Sequence, residues 1–251
     1  MFIYWKNIKF LSKKEFNFQK DILSAQLITV PAAPSMVESI NNPWYYEALE
    51  NATYSIVDSG LFALLCKLHG LKIHKYSGYR LIADMLEHLK HQPLKLFVVS
   101  PRQAESKNIK QLLLSKTLCK SNDLAFYNAP FYSANANIED PELIKQIKAF
   151  QPDLVMLCVA GGKQEILGYY LKKNISKEAT IICTGAAISF FTGTQAKISP
   201  LIDKLYLGWL ARIFADPKTF LPRYSNAFKY VFWFLKFRST LKTAEEPSPS
   251  N

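Results

Sequence analysis

The sequence predicts an α/β protein with a mostly parallel sheet in three layers. Short apolar runs alternate along the chain with amphipathic stretches of ten or more residues, which is the pattern of βαβ units. The 251 residues are enough to bury a sizeable core, and glycine, proline or small polar residues follow most of the apolar runs. Such a Rossmann-like sheet binds its ligands at the carboxyl ends of its strands.

Each predicted element has a local reason. Residues 1–24 mix aromatic side chains with lysines and predict an edge hairpin or an irregular leader. Pro31 and Pro34 exclude a helix before about Ser35. Apolar runs predict strands at 27–30, 54–57, 95–99, 124–127, 154–160 and 180–183. Helical periodicity predicts helices at 36–51, 61–69, 80–90, 104–118, 141–150 and about 163–173.

The C-terminal region differs from the rest of the chain. The sequence predicts an α/β domain over 1–203, a helical, basic and aromatic appendage over 204–242, and a disordered tail over 243–251. The appendage includes an apolar helix at 205–214 and a crowded aromatic segment at 223–242. Two interpretations of that segment carry equal weight, an interfacial element on an anionic membrane and an aromatic helix packed on the domain or on another subunit.

Composition narrows the class of protein. Lys and Arg number 31 against 20 Asp and Glu, a formal charge of +11, which favours a polyanionic partner such as nucleic acid, anionic lipid or a phosphorylated substrate. The sequence has no recognisable nucleic-acid module, no apolar run long enough to span a bilayer and no convincing signal peptide. Four widely spaced cysteines indicate reduced, cytosolic thiols, and the histidines lack metal-ligand spacing, so neither a metal nor another cofactor is expected.

A pair of glycines follows the apolar run 154–160. Gly161 and Gly162 precede Lys163, Gln164 and Glu165, where the pattern becomes helical. Free N–H groups at such a helix N-terminus, with Lys163 beside them, favour a phosphate. The plainer alternative is that the glycines only turn a corner and that Glu165 only complements the helix dipole.

A second turn of small residues follows the strand at 180–183. It contains Thr184, Gly185 and Ala186. Two such strand ends would form adjacent sides of one cleft, and we expect a nucleotide or nucleotide sugar there. The glycine spacing is neither that of a P-loop nor that of a dinucleotide-binding turn.

Polar residues near other strand ends are candidates for chemistry. Asp58 follows the strand at 54–57, where a carboxylate could act as a general base or could cap the next helix. The hydroxyl of Thr29 could reach the same cleft, and Asn128 and Tyr132 could line its rim.

The order of these motifs resembles the WecG/TagA/CpsF glycosyltransferases over roughly residues 25–223. The motifs that carry the resemblance are Thr29, Asp58-Ser59-Gly60, Gly78-Tyr79-Arg80-Leu81, Gly161 to Glu165, Thr184-Gly185, Phe190 to Thr194, and Trp209 to Arg212 with Pro217. The resemblance implies inverting transfer of an N-acetylhexosamine-type sugar from a UDP-sugar to a polyprenyl-diphosphate-linked acceptor in cell-surface polysaccharide synthesis, without a catalytic metal. It implies that Asp58 is the base and that Thr29 lies close by.

The resemblance also implies partners and a location. A basic appendage would dock on the anionic inner face of the plasma membrane and help complete the site, and Arg212 or Lys197 would support the departing diphosphate. The protein would then be cytoplasmic and peripherally membrane-bound. Apart from the resemblance, the sequence has no nucleic-acid module, so no nucleic-acid partner is expected, and burial against a second copy of the chain would explain the aromatic segment. Gly78, Tyr79 and Arg80 would join the substrate-binding set.

The chain departs from the family's pattern at several positions. Pro31 stands where the family usually has Asn, Arg80 where it has Asp, Gly162 where a proline is common, and Gly208 where it has Glu. These departures keep an alternative open, a non-catalytic protein of the same fold that binds a nucleotide sugar or a lipid phosphate.

Overall fold

The computed structural model describes residues 1–115, 118–133, 136–193 and 227–244, together with 214, 217 and 218. Its strands are β1 (Phe2–Trp5), β2 (Ile8–Leu11), β3 (Leu27–Thr29), β4 (Tyr54–Ile56), β5 (Leu96–Ser100), β6 (Leu124–Asn128), β7 (Leu154–Leu157), β8 (Thr180–Cys183) and β9 (Lys242–Ala244). Its helices are α1 (Ala33–Glu38), α2 (Pro43–Glu50), α3 (Gly60–Leu68), α4 (Gly78–Leu89), α5 (Gln103–Ser115), α6 (Pro141–Phe150), α7 (Lys163–Asn174) and α8 (Ala227–Lys236). Shorter helical turns cover Phe18–Ile22, Ser121–Asp123, Gly185–Phe190 and Arg238–Thr240.

The strands form a single sheet in the order β6-β5-β7-β8-β3-β4-β2-β1-β9. Strands β6 to β2 in this order are parallel, and β1 is antiparallel to both β2 and β9. One apolar cluster joins one face of the sheet to α2, α3, α6, α7 and α8, and a second joins the other face to α4 and α5. The predicted three-layer, mostly parallel α/β fold is therefore confirmed.

The central strands end at one edge of the sheet. Thr29 pairs in register with Ser55 of β4 and with Cys183 of β8, and Cys183 also pairs with Leu157 of β7. The segments that follow β4, β3, β8 and β7 consequently leave the sheet side by side. This edge is where an open parallel sheet places its ligand site.

The helix predicted over 36–51 is wrong as a single element. The chain forms α1 and α2, because Asn42 caps a new helix by accepting the N–H of Tyr45, and Pro43 occupies its first turn. Helix also begins at Ala33, two residues before the expected start at Ser35. A proline in the first turn is compatible with a helix because the N–H that it lacks has no intrahelical partner there.

The C-terminal helix α8 packs on the domain. Tyr230, Trp233 and Phe234 are buried, and their rings lie 4.7–5.7 Å from that of Trp5. The packed interpretation of the aromatic segment therefore holds for this face of α8. The helix predicted at 205–214 lies outside the described residues except for Phe214.

The N-terminal hairpin also holds the C-terminal segment. The predicted edge hairpin is present as β1 and β2, and β9 pairs with β1 through the register Phe2 to Ala244. Lys6, in the hairpin turn, places its ammonium 4.9 Å from the ring centre of Trp233 and 4.1 Å from that of Phe237. The disordered tail predicted from residue 243 thus begins too early, since Lys242–Ala244 is a strand, and residues 245–251 lie outside the described ones.

We expect Trp5→Ala to lower the free energy of unfolding by about 3–5 kcal/mol, because the indole is fully buried against α3 and α8. Urea denaturation followed by far-UV circular dichroism measures this change. Trp44→Ala is the matched control, because that side chain is 42% exposed and should cost much less. Equal losses in the two variants would contradict the assigned anchoring role of Trp5.

Candidate active site

Asp58 lies just beyond β4 and binds the start of α4. Its Oδ1 accepts the N–H of Gly78 at 2.8 Å, and the residue is half-buried. The cap of α3 is Ser59, whose hydroxyl oxygen accepts the N–H of Phe62 at 3.1 Å. The capping alternative for Asp58 at α3 is therefore wrong, and the carboxylate faces the first turn of α4 instead.

Gly78 brings three parts of the fold together. If Gly78 carried a Cβ, that atom would lie 3.5 Å from Cγ1 of Val30, which follows β3. It would also lie 3.3 Å from Cβ of Ala187, in the turn after β8. The same Cβ would lie 3.9 Å from Asp58 Oδ1. The carboxylate is thus on the same side of the molecule as the turn that begins at Gly185.

The two glycine turns are bonded from inside the protein. Gly162 has φ +85° and donates its N–H to Glu165 Oε2 at 2.7 Å. Gly185 has φ +54° and donates its N–H to Gln164 Oε1 at 2.7 Å. The expectation of a free N–H group for a phosphate is therefore wrong at Gly162, and a buried side chain likewise already accepts the N–H of Gly185.

Gln164 and Glu165 lie behind the turns. They are 4% and 0% exposed, and Gln164 Nε2 donates to Glu165 Oε1 at 2.9 Å. Burial raises the pKa of Glu165 to about 7, while its hydrogen bonds with Gln164 and Gly162 oppose that rise and the nearby carboxylate of Glu38 adds to it. These two residues were expected to line the cleft, and the structure places them in the wall beneath it.

The rim beside α7 carries a cation and an aromatic ring. Lys163 Nζ lies 4.3 Å from the ring centre of Phe131, a side chain that is 92% exposed. Gly161, just before α7, and Ala186, in the turn after β8, are also exposed. The carboxyl edge thus presents a positive charge, an exposed ring and two residues with little or no side chain.

Two of the predicted hydroxyls point into the protein. Thr29 is fully buried, and its Oγ1 lies 2.7 Å from the hydroxyl oxygen of Ser55. Thr184 is buried, and its hydroxyl donates to the carbonyl of Leu157 at 3.4 Å. Thr29 therefore ties β3 to β4 at the carboxyl edge, and its hydroxyl is not exposed to a cleft.

The remaining predicted residues lie around the edge. Tyr79 stacks on Phe191 with ring centres 4.8 Å apart, and Arg80 is exposed, with its Nε 3.9 Å from Asp84 Oδ2. Asn128 ends β6, the outermost of the parallel strands, and accepts a hydrogen bond from Ser106. Tyr132, which was expected at the rim, is buried, and its hydroxyl donates to Asp140 Oδ2. Arg212 and Lys197 lie outside the described residues.

Sequence reasoning missed the contribution of α1. A Cβ at Gly161 would lie 3.2 Å from Ser35 Cβ, and one at Gly162 would lie 3.5 Å from Glu38 Oε2. No local pattern marks these contacts, since Glu38 falls inside the helix predicted over 36–51 and Ser35 falls just before its start. Within the described part of the chain, no three His, Cys, Asp or Glu residues are grouped as ligands for a metal ion.

The fold and this edge define an α/β protein whose candidate ligand site is built from the segments after β3, β4, β7 and β8. A family model described as the glycosyl transferase WecG/TagA/CpsF family matches residues 13–244, and the chain belongs to that family. The resemblance in the motifs is thereby confirmed. The protein is a glycosyltransferase.

Curated relatives come from Staphylococcus aureus and carry the name N-acetylglucosaminyldiphosphoundecaprenol N-acetyl-beta-D-mannosaminyltransferase. The protein of strain NCTC 8325 / PS 47 is 23% identical over 224 residues, which cover 87% of this chain and 84% of the relative. That of strain MRSA252 is 22% identical over 225 residues, with the same coverage. This name describes transfer of an N-acetylmannosaminyl group to a lipid-linked acceptor.

We expect ionisation of Glu165 to make stability fall as the pH rises. The pKa in the folded state, about 7, lies above the ordinary value of 4.5, so between these values the folded protein binds more protons than the unfolded chain. The stability of the wild type relative to Glu165→Gln should therefore decrease by up to about 3 kcal/mol from pH 4.5 to 7 and level off above that range. Urea titrations of both proteins across pH 4.5–8 measure the difference, and parallel curves would contradict the assignment.

Proposed function

We propose that this glycosyltransferase moves an N-acetylhexosamine-type sugar, with inversion, from a UDP-sugar to a polyprenyl-diphosphate-linked acceptor in cell-surface polysaccharide synthesis. The observation that carries the proposal is the position of the Asp58 carboxylate, which Gly78 holds near Ala187 in the turn after β8, in a member of this family. The name of the S. aureus relatives supports an acceptor that bears N-acetylglucosamine on undecaprenyl diphosphate.

Asp58 is the proposed general base. Its carboxylate takes the proton of the acceptor hydroxyl as that oxygen attacks the anomeric carbon, and the bond from that carbon to the UDP oxygen breaks. The bonding electrons leave with UDP, and attack from the opposite face inverts the anomeric configuration. The hydrogen bond from Gly78 fixes one carboxylate oxygen and thereby the orientation of the Asp58 side chain.

The diphosphate of the leaving UDP lies, in this proposal, between the two glycine turns. Lys163 supplies a positive charge at the rim, and Gly161 and Ala186 leave room for a close approach. The N-terminus of α7 adds the positive end of its dipole. The glycine turns therefore contribute a surface that the diphosphate can approach closely, and the helix dipole of α7 contributes a favourable electric field. The N–H groups of Gly162 and Gly185 remain bonded within the protein.

We expect Asp58→Asn to lower turnover at least about a hundredfold without unfolding the protein, because asparagine can still accept the N–H of Gly78 but cannot take a proton. UDP release is measured with UDP-N-acetylhexosamines and a synthetic polyprenyl-diphosphate-linked N-acetylglucosamine.

Asp153→Asn is the matched control for this substitution. Asp153 also accepts a backbone N–H, that of Lys95, but it precedes β7 at the opposite edge of the sheet, so turnover should stay within about threefold of the wild type. Unchanged turnover in Asp58→Asn would remove Asp58 from the mechanism. Saturable UDP binding by the wild type with no turnover for any donor and acceptor would favour the non-catalytic alternative.

The proposed membrane contact is an apolar surface with exposed lysines on α3 and α8. Leu64 and Leu68 of α3 are 53% and 73% exposed, and Phe232 and Leu235 of α8 are 76% and 40% exposed. The two helices touch through the rings of Phe62 and Phe234. Exposed lysines on these helices are Lys67, Lys229 and Lys236.

Apolar side chains beside cations suit the interface of an anionic bilayer, where a lipid-linked acceptor would reside. None of the described helices is long and apolar enough to cross a membrane. We therefore propose that the protein binds peripherally at the inner face of the plasma membrane. The outward face of α8 would contact the lipid, while its inner face packs in the core.

We expect the double variant Phe232→Ser/Leu235→Ser to lower the partition coefficient onto phosphatidylglycerol-containing vesicles at least about tenfold, because two exposed apolar side chains no longer enter the interface. Vesicle sedimentation at several salt concentrations measures partitioning. Phe131→Ser is the control, since this side chain is equally apolar and exposed but lies at the rim of the site. Unchanged partitioning of the double variant would show that this surface is not the anchor.

A further inference from the structure

Three buried hydrogen bonds connect the two glycine turns through the start of α7. Gly162 N–H donates to Glu165 Oε2, Gln164 Nε2 donates to Glu165 Oε1, and Gly185 N–H donates to Gln164 Oε1, all at 2.7–2.9 Å. We refer to these bonds as the Gln164–Glu165 relay. The relay spans from the turn after β7 to the turn after β8, so it fixes one relative to the other.

The chemistry of the relay requires one amide and one carboxylate. Both backbone groups at its ends can only donate, so an acceptor must stand at each end. Between those acceptors one donor is needed, and the amide of Gln164 supplies it to the ionised Glu165. Two ionised carboxylates would leave the middle without a donor, and two amides would bring a donor against a donor.

The surroundings of Glu165 make this arrangement costly for folding. Among the described residues, the titratable groups that face it are Glu38 from α1, Tyr45 from α2 and Cys183 from β8, and none of these three supplies a positive charge. A buried carboxylate without a cation lowers stability unless hydrogen bonds compensate for lost hydration. Here the compensating donors are the N–H group of Gly162 and the amide of Gln164, two of the groups that form the relay.

We propose that Gln164 and Glu165 are positioning residues that hold the turn after β7 and the turn after β8 at the spacing that the diphosphate of the donor requires. This inference rests on the proposed function. The two side chains act through the backbone of the turns, because they are buried beneath it. A charge-assisted hydrogen bond to a buried group contributes enough that the loss of one should be visible in nucleotide affinity.

Exchange of the two side chains tests the relay. In Gln164→Glu the donor between the carboxylates is lost, and in Glu165→Gln two amide donors face each other. The double variant Gln164→Glu/Glu165→Gln restores the pattern, since Gln at 165 can accept the N–H of Gly162 and donate to Glu at 164, which accepts the N–H of Gly185. A purely steric role for these positions predicts no such rescue.

The readout is the Kd for UDP by isothermal titration calorimetry at pH 8, at a temperature where circular dichroism shows every variant to be folded. We expect each single variant to bind UDP at least about tenfold more weakly than the wild type, and the double variant to return to within about threefold. Ser39→Ala is the matched control, because it removes a buried hydroxyl that donates to the carbonyl of Met36 in α1, and it should bind UDP as the wild type does.

Two results would overturn the inference: single variants that bind UDP like the wild type, or a double variant as weak as the single ones. If the wild type itself fails to bind UDP, the proposed function fails, and the donor-positioning role fails with it. In that case the free energies of unfolding of the wild type, the two single variants and the double variant, measured by urea denaturation, still show whether positions 164 and 165 are energetically coupled. Coupling without UDP binding would mean that the relay exists but that UDP is not its ligand.

Discussion

The position of the two glycine turns depends on where their N–H groups are bonded. Gly162 and Gly185 have positive φ angles, and both donate inward, to side chains at the start of α7. A turn whose donors are satisfied from within keeps its shape whether or not a ligand is bound. The candidate site is therefore preformed at its base, and Gly161, Lys163 and the carboxylate of Asp58 lie at the same carboxyl edge of the sheet.

The packing around the outer strands β1 and β2 also supports the carboxyl edge of the sheet. α8 buries Tyr230 against Met36 of α1, and α1 in turn contacts both residues of the turn after β7. The hairpin β1–β2 holds α8 through Trp5 and Lys6. The C-terminal helix thus belongs to the structural support of the site, and its outward face carries the exposed side chains of Phe232 and Leu235.

Much of the fold could be predicted because local signals coincide with the elements. The helix Pro141–Phe150 and the strand Thr180–Cys183 begin and end where proline, glycine and apolar patterning place them. The break at Asn42-Pro43 was missed although its signal, a capping residue before a proline, is present in the sequence. The strand β9 has no such signal, because three residues at the sheet edge pair with a strand more than two hundred positions earlier.

The site was predicted less completely than the fold. Sequence position gave the edge on which Asp58 and the glycine turns lie, because strand ends converge there. The positions of the strand ends do not predict where the side chains point. The Thr29 hydroxyl is hydrogen-bonded to Ser55, and Gln164 accepts the N–H of Gly185, so neither side chain faces a cleft. Each of these contacts depends on the register of strands that are distant in the sequence, which no local pattern records.

A crystal structure of the full chain with UDP tests the location of the donor site most directly. We expect the diphosphate at the carboxyl edge, with an oxygen about 3 Å from Lys163 Nζ and with the turns after β7 and β8 on either side of it. UDP bound at the opposite edge of the sheet would rule out the proposed site. UDP bound at the carboxyl edge, with the Gln164–Glu165 hydrogen bonds replaced by bonds to the phosphates, would rule out the relay.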